Sequence, residues 1–372
     1  MQAAPAPDHE LTDGWRAAAA DDRLRRSYTE RDFDDAAWHA VAVPGHWRST
    51  PAFAESDGPL LYRRRFAAAA PAAGRRAWLT FDGLFYQGDV WLDGGYLGDT
   101  EGYFFPHTFE VTESLRAGAE HALAVEVTCT PQHGSPAKRN ITGVFQHWDC
   151  LDPQWNPGGI WRPVRLTETG PVRIAALRVI CAEASATRAV LALRAVLASD
   201  GARRVRLRTE VGEVDHEAEQ PLAAGANEVG WTVTIERPAL WWPRALGDAV
   251  LHDVRVTVAL TGDGGPASDG PNASAGDGSG AARRDESGAV SDERRLRTGL
   301  RAVRLRRWIA SVNGERLFLK GANLGPTRMA LAEAAPADLR RDVDLAQDAG
   351  LDMLRLHAHV TRPELYDAAD ER

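Results

Sequence analysis

The sequence predicts a mainly β, multidomain protein whose C-terminal part changes to alternating strands and helices. A length of 372 residues suggests two or three domains. Short alternating or aromatic-rich stretches recur between turn signals through most of the chain, as in antiparallel β-proteins. From Arg304 onward, strand patterns are followed by helix-period patterns, which is the order of an α/β fold.

Residues 1–168 read as the first β-region. His121–Thr128 alternates strictly, so that its large aliphatic residues share one face. Val90–Leu97 reads as a hairpin about an Asp-Gly turn, and Ala77–Phe81 is an aromatic-rich strand. Many short strands with frequent turn signals predict a jelly-roll β-sandwich.

Residues 169–303 are predicted to form a second sandwich. The number and spacing of its strands indicate the immunoglobulin type. A run of Gly, Ser, Asp and Ala at about 261–295 interrupts it, and we expect a disordered insertion there because the run cannot bury a core. Its six strand candidates are Val172–Ile180, Val190–Leu197, Val205–Val211, Trp231–Ile235, Leu251–Leu260 and Leu296–Leu305.

Residues 304–372 read as the beginning of a (β/α)8 barrel. Leu317–Asn323 predicts a strand, Pro336–Ala349 a helix, and Asp352–His357 a second strand. Thr361–Glu364 has the spacing of a capping box and predicts the start of another helix. Because a barrel needs about 250 residues, the chain is expected to hold only the truncated start of one.

Composition and charge exclude several classes of protein. A net charge of −8 and a pI near 5.8 argue against nucleic acids and anionic membranes as partners. Three cysteines without CxxC spacing predict neither a zinc site nor a disulfide framework. The N-terminus lacks a secretion signal, so we expect a cytoplasmic protein. No cofactor is expected. Twelve tryptophans either stack on sugars or fill cores, and composition leaves both open.

Three strings in order resemble glycoside hydrolase family 2, whose members have a jelly roll, an immunoglobulin-like domain and a barrel. Gly159–Val164 (Gly-Ile-Trp-Arg-Pro-Val) resembles the close of the sugar-binding domain. Leu240–Pro243 resembles the Trp-Trp-Pro string of the middle domain, and Lys320–Asn323 resembles the first barrel strand. The resemblance covers almost the whole chain.

Within that family the chain is most similar to the β-mannosidase-like branch. Phe145–Pro153 keeps the Phe, Trp and Asp of that branch's Phe-x-Trp-Asp-Trp-Gly-Pro string. Asn323–Pro326 stands where the branch has Asn-Trp-Ile-Pro. Leu354–Val360 (Leu-Arg-Leu-His-Ala-His-Val) stands in place of Leu-Arg-Val-Trp-Gly-Gly-Gly, so the sugar is open, and a β-mannoside is favoured.

The resemblance implies a retaining hydrolase acting on terminal β-linked sugars, with two glutamates at the ends of the fourth and seventh barrel strands. This sequence stops after the second strand, so no catalytic residue is assigned and the chain alone is expected to be inactive. Two alternatives stay open. One is a non-catalytic carbohydrate-binding or interaction protein, and the other is a split enzyme whose barrel a second polypeptide completes.

Candidate substrate-binding residues lie at the carboxyl ends of the two barrel strands, where such barrels bind their substrates. Arg355 and His357 share one face of the second strand, and Asn323 ends the first. Arg355 could orient a carboxylate, and the other two could hydrogen-bond a sugar hydroxyl. Each could instead be purely structural: Arg355 as a buried arginine, His357 as a core histidine, and Asn323 as an amide that orients a neighbouring side chain.

Trp148 and Asp149 are the other candidates, and they rest on the resemblance. It implies a loop at the barrel mouth with a stacking ring and a carboxylate for paired hydroxyls; a core tryptophan beside a turn is the alternative. His357 and His359 alternate on a strand and could chelate a metal, but such a pair belongs to a different domain order. We therefore predict no metal and a carbohydrate as the partner; the oligomeric state is left open.

Overall fold

The computed structural model describes residues 9–116, 118–131, 155–261 and 288–372. The chain forms two compact units. One contains the described residues up to Glu168 together with 243–246 and Leu317–Arg372, and the other contains Thr169–Trp242 and Gly247–Arg316. The jelly-roll region and the start of the barrel therefore belong to the same unit. The three-domain division at 168/169 and 303/304 stays a prediction.

The first β-region forms two antiparallel sheets with a common core. Their strand orders are β1-β10-β5-β8 and β3-β2-β4-β9-β6-β7, and one short helix, α1 (Thr112–Arg116), precedes β9. The strands are β1 (His9–Glu10), β2 (Arg16–Ala19), β3 (His39–Ala40), β4 (Leu60–Ala67), β5 (Arg76–Phe81), β6 (Gln87–Leu92), β7 (Gly95–Glu101), β8 (His107–Glu110), β9 (Glu120–Thr128) and β10 (Val164–Thr169).

The two clearest sequence patterns of this region are confirmed. In β9, the aliphatic residues Leu123 and Val125 are fully buried in the core of the sandwich. Ala124 is buried on the opposite face, because a second cluster that includes Tyr28 and Trp38 packs there. Asp93 (φ 52°) and Gly94 (φ 81°) both adopt the left-handed conformation that a two-residue hairpin turn requires.

Tryptophans fill the core of the first sandwich. Trp15, Trp47 and Trp161 are each only 1% exposed, so these three are core residues rather than stacking platforms. Trp47 fits only because glycines surround it. A Cβ on Gly58 would lie 2.5 Å, and one on Gly158 2.1 Å, from the carbons of its indole ring. The backbone must therefore approach the ring at both positions.

The second unit has two antiparallel sheets, of order β11-β12-β15 and β14-β13-β16-β17, around an aliphatic core. A separate three-stranded sheet follows, of order β18-β19-β20. The strands are β11 (Val172–Ala184), β12 (Arg188–Ser199), β13 (Arg203–Val211), β14 (Val214–Leu222), β15 (Gly225–Glu236), β16 (Leu251–Leu260), β17 (Val290–Gly299), β18 (Val303–Arg306), β19 (Ile309–Val312) and β20 (Glu315–Leu317).

Three expectations for this unit need correction. The strand β14 was not predicted, because its polar residues alternate with few large apolar ones. The single strand expected at Leu296–Leu305 is two strands, β17 and β18. The insertion expected at about 261–295 is too long at its C-terminal side, since β17 pairs with β16 from Val290 onward. Residues 262–287 of that insertion lie outside the described residues.

The start of the barrel is a parallel pair of strands, β21 (Gly321–Leu324) and β22 (Met353–Leu356), with helices α2 (Pro336–Asp348) and α3 (Pro363–Asp370). Leu354 and Leu356 pack beneath the helices, as their alternation predicts. No helix in the described part of the chain is long and apolar enough to cross a membrane.

Two details of this region differ from the sequence prediction. The strand expected at Leu317–Asn323 is interrupted, since β20 ends at Leu317 and β21 begins at Gly321. The capping box expected at Thr361 is wrong, because Arg362 is the N-cap residue of α3 and makes no side-chain cap. One of the two bonds of such a box exists on α2, where the backbone N–H of Ala335 donates to Asp338 Oδ2 over 3.1 Å, but Ala335 has no side-chain oxygen for the other.

Candidate functional site

Three predicted site residues lie together at the carboxyl ends of β21 and β22. The parallel register places Asn323 directly beside Arg355. Arg355 Nη1 donates to Asn323 Oδ1 and to His357 Nδ1, each over 3.1 Å. Since Arg355 hydrogen-bonds both of the other side chains, the three residues form one polar group, called the strand-end cluster below.

The hydrogen bonds fix what the strand-end cluster can offer a ligand. A guanidinium only donates, so His357 Nδ1 must accept and its proton must lie on Nε2. The Nε2–H of this ring and the amide N–H groups of Asn323 can therefore donate to an oxygen. Within the described residues, the side-chain partners of Arg355 are Asn323 and His357, and neither is a carboxylate.

His359 adds no metal site to this cluster. Its Nδ1 donates to the carbonyl oxygen of His357 over 2.9 Å, and burial lowers the pKa of its ring. The Arg355 guanidinium occupies Nδ1 of His357 and would repel a cation there. Among the described residues, no group of three or more His, Cys, Asp or Glu could hold a metal ion.

Two jelly-roll residues that sequence reasoning missed contact the loops beside the strand-end cluster. Arg162 stacks on Trp161 with its guanidinium carbon 4.3 Å from the ring centroid, and its Nη2 donates to the carbonyl oxygen of Thr361 over 2.8 Å. His46 Nε2 accepts the backbone N–H of Ala332 over 3.2 Å. Arg162 stands in the Gly-Ile-Trp-Arg string and could have been noticed there, whereas nothing in the sequence distinguishes His46.

Trp148 and Asp149 lie outside the described residues. The described residues on either side of that segment are joined by Asn156, which is buried. Its Nδ2 donates to the carbonyl oxygen of Cys129 over 2.7 Å, and its Oδ1 accepts the N–H of Gly158 over 2.9 Å. Asn156 therefore fixes the two flanks against each other. Trp155 is half-buried with its ring centroid 5.2 Å from that of His46.

The chain is similar to proteins of glycoside hydrolase family 2. Residues 54–167 match a family model described as a glycosyl hydrolase 2 galactose-binding domain-like domain. The resemblance to this family, including its β-mannosidase-like members, is confirmed.

Curated relatives are named β-mannosidase B. The chain is 28% identical to the Aspergillus flavus protein over 227 residues, which are 55% of this chain and 26% of that protein. It is 29% identical to the Neosartorya fischeri protein over 224 residues, 53% of this chain and 26% of that protein. The matched region thus spans about a quarter of these relatives' length.

Solved structures share the fold over 98% of this chain. An exo-chitosanase from Amycolatopsis orientalis superposes with a TM-score of 0.76 at 21% identity, the match covering 42% of that chain. A β-D-mannosidase from Dictyoglomus thermophilum superposes with a TM-score of 0.74 at 18% identity, covering 46% of that chain. At these identities the likeness shows the fold alone.

Proposed function

We propose that this chain is part of a retaining glycoside hydrolase that acts on terminal β-linked sugars, with β-mannosides favoured. The observation that carries the proposal is the strand-end cluster of Asn323, Arg355 and His357, which stands where barrel enzymes bind substrates. The β-mannosidase relatives support the choice of sugar.

Each member of the cluster has a role in this proposal. The guanidinium of Arg355 holds a catalytic carboxylate ionised and oriented, because an adjacent cation favours the charged form of a carboxyl group. His357 donates its Nε2–H, and Asn323 an amide N–H, to sugar hydroxyls. By resemblance, Trp148 stacks on the sugar ring and Asp149 accepts paired hydroxyls.

The chemistry of retention needs two carboxylates about 5–5.5 Å apart, one acting as nucleophile and one as acid and base. We assign neither to a residue of this chain. The acidic residues after β22, such as Glu364, lie on α3, where Glu364 pairs with Arg362 and is partly buried. The 372 residues alone are therefore proposed to be inactive, and a longer product supplies the pair.

The first test is to sequence the source DNA past codon 372 and to assay the product. We expect a continuing reading frame with an Asn-Glu pair and a later glutamate at the fourth and seventh barrel strands. The longer protein should hydrolyse an aryl β-mannoside faster than the β-galactoside, with the released sugar initially in the β-configuration. A stop codon after Arg372, with saturable sugar binding but no turnover, would instead support a binding protein.

The role of the cluster is tested in the longer protein by Arg355→Met. We expect kcat/KM to fall at least about 100-fold, since a charge-assisted contact to a reacting group is lost. Arg178→Met is the matched control, because Arg178 is exposed on β11 of the other unit and has no partner among the described residues. Equal activity of the two variants would contradict the proposed role.

A further inference from the structure

His46 is buried at the surface where the jelly roll meets the loop after β21. The ring is 3% exposed and lies against Phe85, Trp155 and Trp161. Its Nδ1 lies 2.6 Å from the carbonyl oxygen of Pro157, which can only accept, so Nδ1 carries a proton. Its Nε2 accepts from the backbone N–H of Ala332. Both ring nitrogens are thus used, and the bonds require the neutral ring.

The bond to Ala332 holds a segment that belongs to the barrel. Residues 325–335 connect β21, which carries Asn323, to α2. In the middle of this segment Leu331 is 1% exposed and packs in the core of the jelly roll. Arg362, at the start of α3, donates from Nη1 to the carbonyl oxygen of Ala334 over 2.7 Å. The loop is therefore held from both sides, by the jelly roll and by the second βα unit.

We propose that His46 is a positioning residue for the strand-end cluster: its neutral ring fastens the loop after β21 to the jelly roll, and a proton on Nε2 releases that loop. Protonation removes the acceptor for the Ala332 N–H and places two donors against each other. The inference rests on the proposed function only in that the loop begins at the cluster.

The charges around His46 set the pH at which release should occur. Burial lowers the pKa of His46 to about 4, and the exposed carboxylate of Glu333 opposes that effect. Arg48, on the same turn as His46, is held by Asp57 and the carbonyl oxygen of Ser56, and Arg362 lies on the far side of the loop.

The sign follows from comparing folded and unfolded chains. The unfolded ring binds its proton near pH 6.5, whereas the folded ring stays neutral down to about pH 4. The docked loop is therefore fully stabilised above pH 6.5, loses stability as the pH falls, and is released as the pH passes through about 4.

Hydrogen exchange of the 372-residue chain tests the proposal, with rates corrected for the intrinsic pH dependence of exchange. In the wild type, we expect protection of residues 331–334 to fall at least about tenfold between pH 7 and pH 4, before the strands of the jelly roll lose theirs. His46→Gln keeps a donor and an acceptor without titrating, so it should preserve protection at both pH values. His46→Phe should lose protection already at pH 7.

Two control variants make the outcome decisive. His39→Gln changes an exposed histidine and should leave the pH dependence unchanged. His359→Gln changes the buried histidine of the barrel segment, and it should also leave the transition in place. The proposal is overturned if His46→Gln keeps the wild-type transition, if His359→Gln abolishes it, or if strands β4 and β9 open together with the loop. This experiment does not measure sugar hydrolysis, so its outcome tests the role of His46 even if the proposed hydrolase function is wrong.

Discussion

The two sandwiches of this chain reach the same architecture with different cores. The main core of the jelly roll contains three tryptophans, and the backbone touches the ring of Trp47 at Gly58 and Gly158. The immunoglobulin-like sandwich buries mostly Val, Leu, Ile and Ala. Exchanges between aliphatic residues of similar volume cost little in such a core. The first core depends on the fit of individual atoms, whereas the second depends on an alternating pattern of apolar residues. Substitutions of the same size should therefore lower the free energy of unfolding by different amounts in the two sandwiches.

The two sandwiches also differ in where their ion pairs lie, since one is buried and the other is exposed. Arg63 is 1% exposed inside the jelly-roll region, where it donates to Asp35 Oδ2 over 2.9 Å and to the carbonyl oxygens of Tyr28 and Glu30. On the second sandwich, Arg208 makes a two-pronged pair with Asp215 at 3.1 and 2.6 Å, but both are exposed. The contacts of Arg63 are costly to break because they are buried. The pair of Arg208 and Asp215 contributes little because water screens exposed charges.

The largest expected effect is that of Gly158→Ala. The new methyl group would lie 2.1 Å from Trp47 Cζ2, and the enclosed indole cannot move away. We expect the free energy of unfolding to fall by more than about 3 kcal/mol, measured by urea denaturation followed by tryptophan fluorescence. Gly201→Ala is the control, because nothing lies within 4 Å of a Cβ there. Similar stability of both variants would contradict the tight fit.

Arg63→Met comes next. It removes the guanidinium that donates to the carboxylate of Asp35 and to the carbonyl oxygens of Tyr28 and Glu30. We expect a loss of about 3 kcal/mol in the same urea experiment, because breaking a buried ion pair leaves an uncompensated charge. A loss below about 1 kcal/mol would mean that water reaches Asp35 and replaces the guanidinium.

Arg208→Met should have the smallest effect. The same chemical change on the exposed sheet should cost less than about 1 kcal/mol, because surface ion pairs contribute little. The difference between wild type and variant should shrink further in 1 M NaCl, since salt screens exposed charges over about 3 Å. An effect as large as that of Arg63→Met would show that the ion pairs of this sheet act as a network.

Much of the fold could be predicted because local patterns specify it. The alternation in β9 and the Asp93-Gly94 turn involve neighbouring residues, and both are confirmed. β14 could not be predicted in this way. Its outward Asp215, Glu217 and Glu219 are stabilised by arginines of β13 on the adjacent strand, and sequence spacing does not reveal that pairing.

The candidate site, like the fold, could be predicted only where neighbouring elements of the sequence specify it. Asn323 and Arg355 could be placed together because both end neighbouring parallel strands, and the structure joins them. His46 could not be found, since its partner Ala332 lies 286 residues away and contributes only a backbone N–H. Trp148 and Asp149 stay predictions, because they lie outside the described residues.

The packing of Leu331 in the jelly-roll core has a consequence for synthesis on the ribosome. The core receives the side chain of Leu331, whose neighbour Ala332 is translated 286 residues after His46 and hydrogen-bonds its ring. At about 5–20 residues per second, this delay is roughly 15–60 s. During that time the nascent jelly roll lacks one of its own core residues and exposes the apolar surface that Leu331 later covers. Chaperones that bind exposed apolar surface should therefore associate with nascent chains that contain the jelly-roll strands but not yet Leu331. They should release these chains once the segment around Leu331 has emerged.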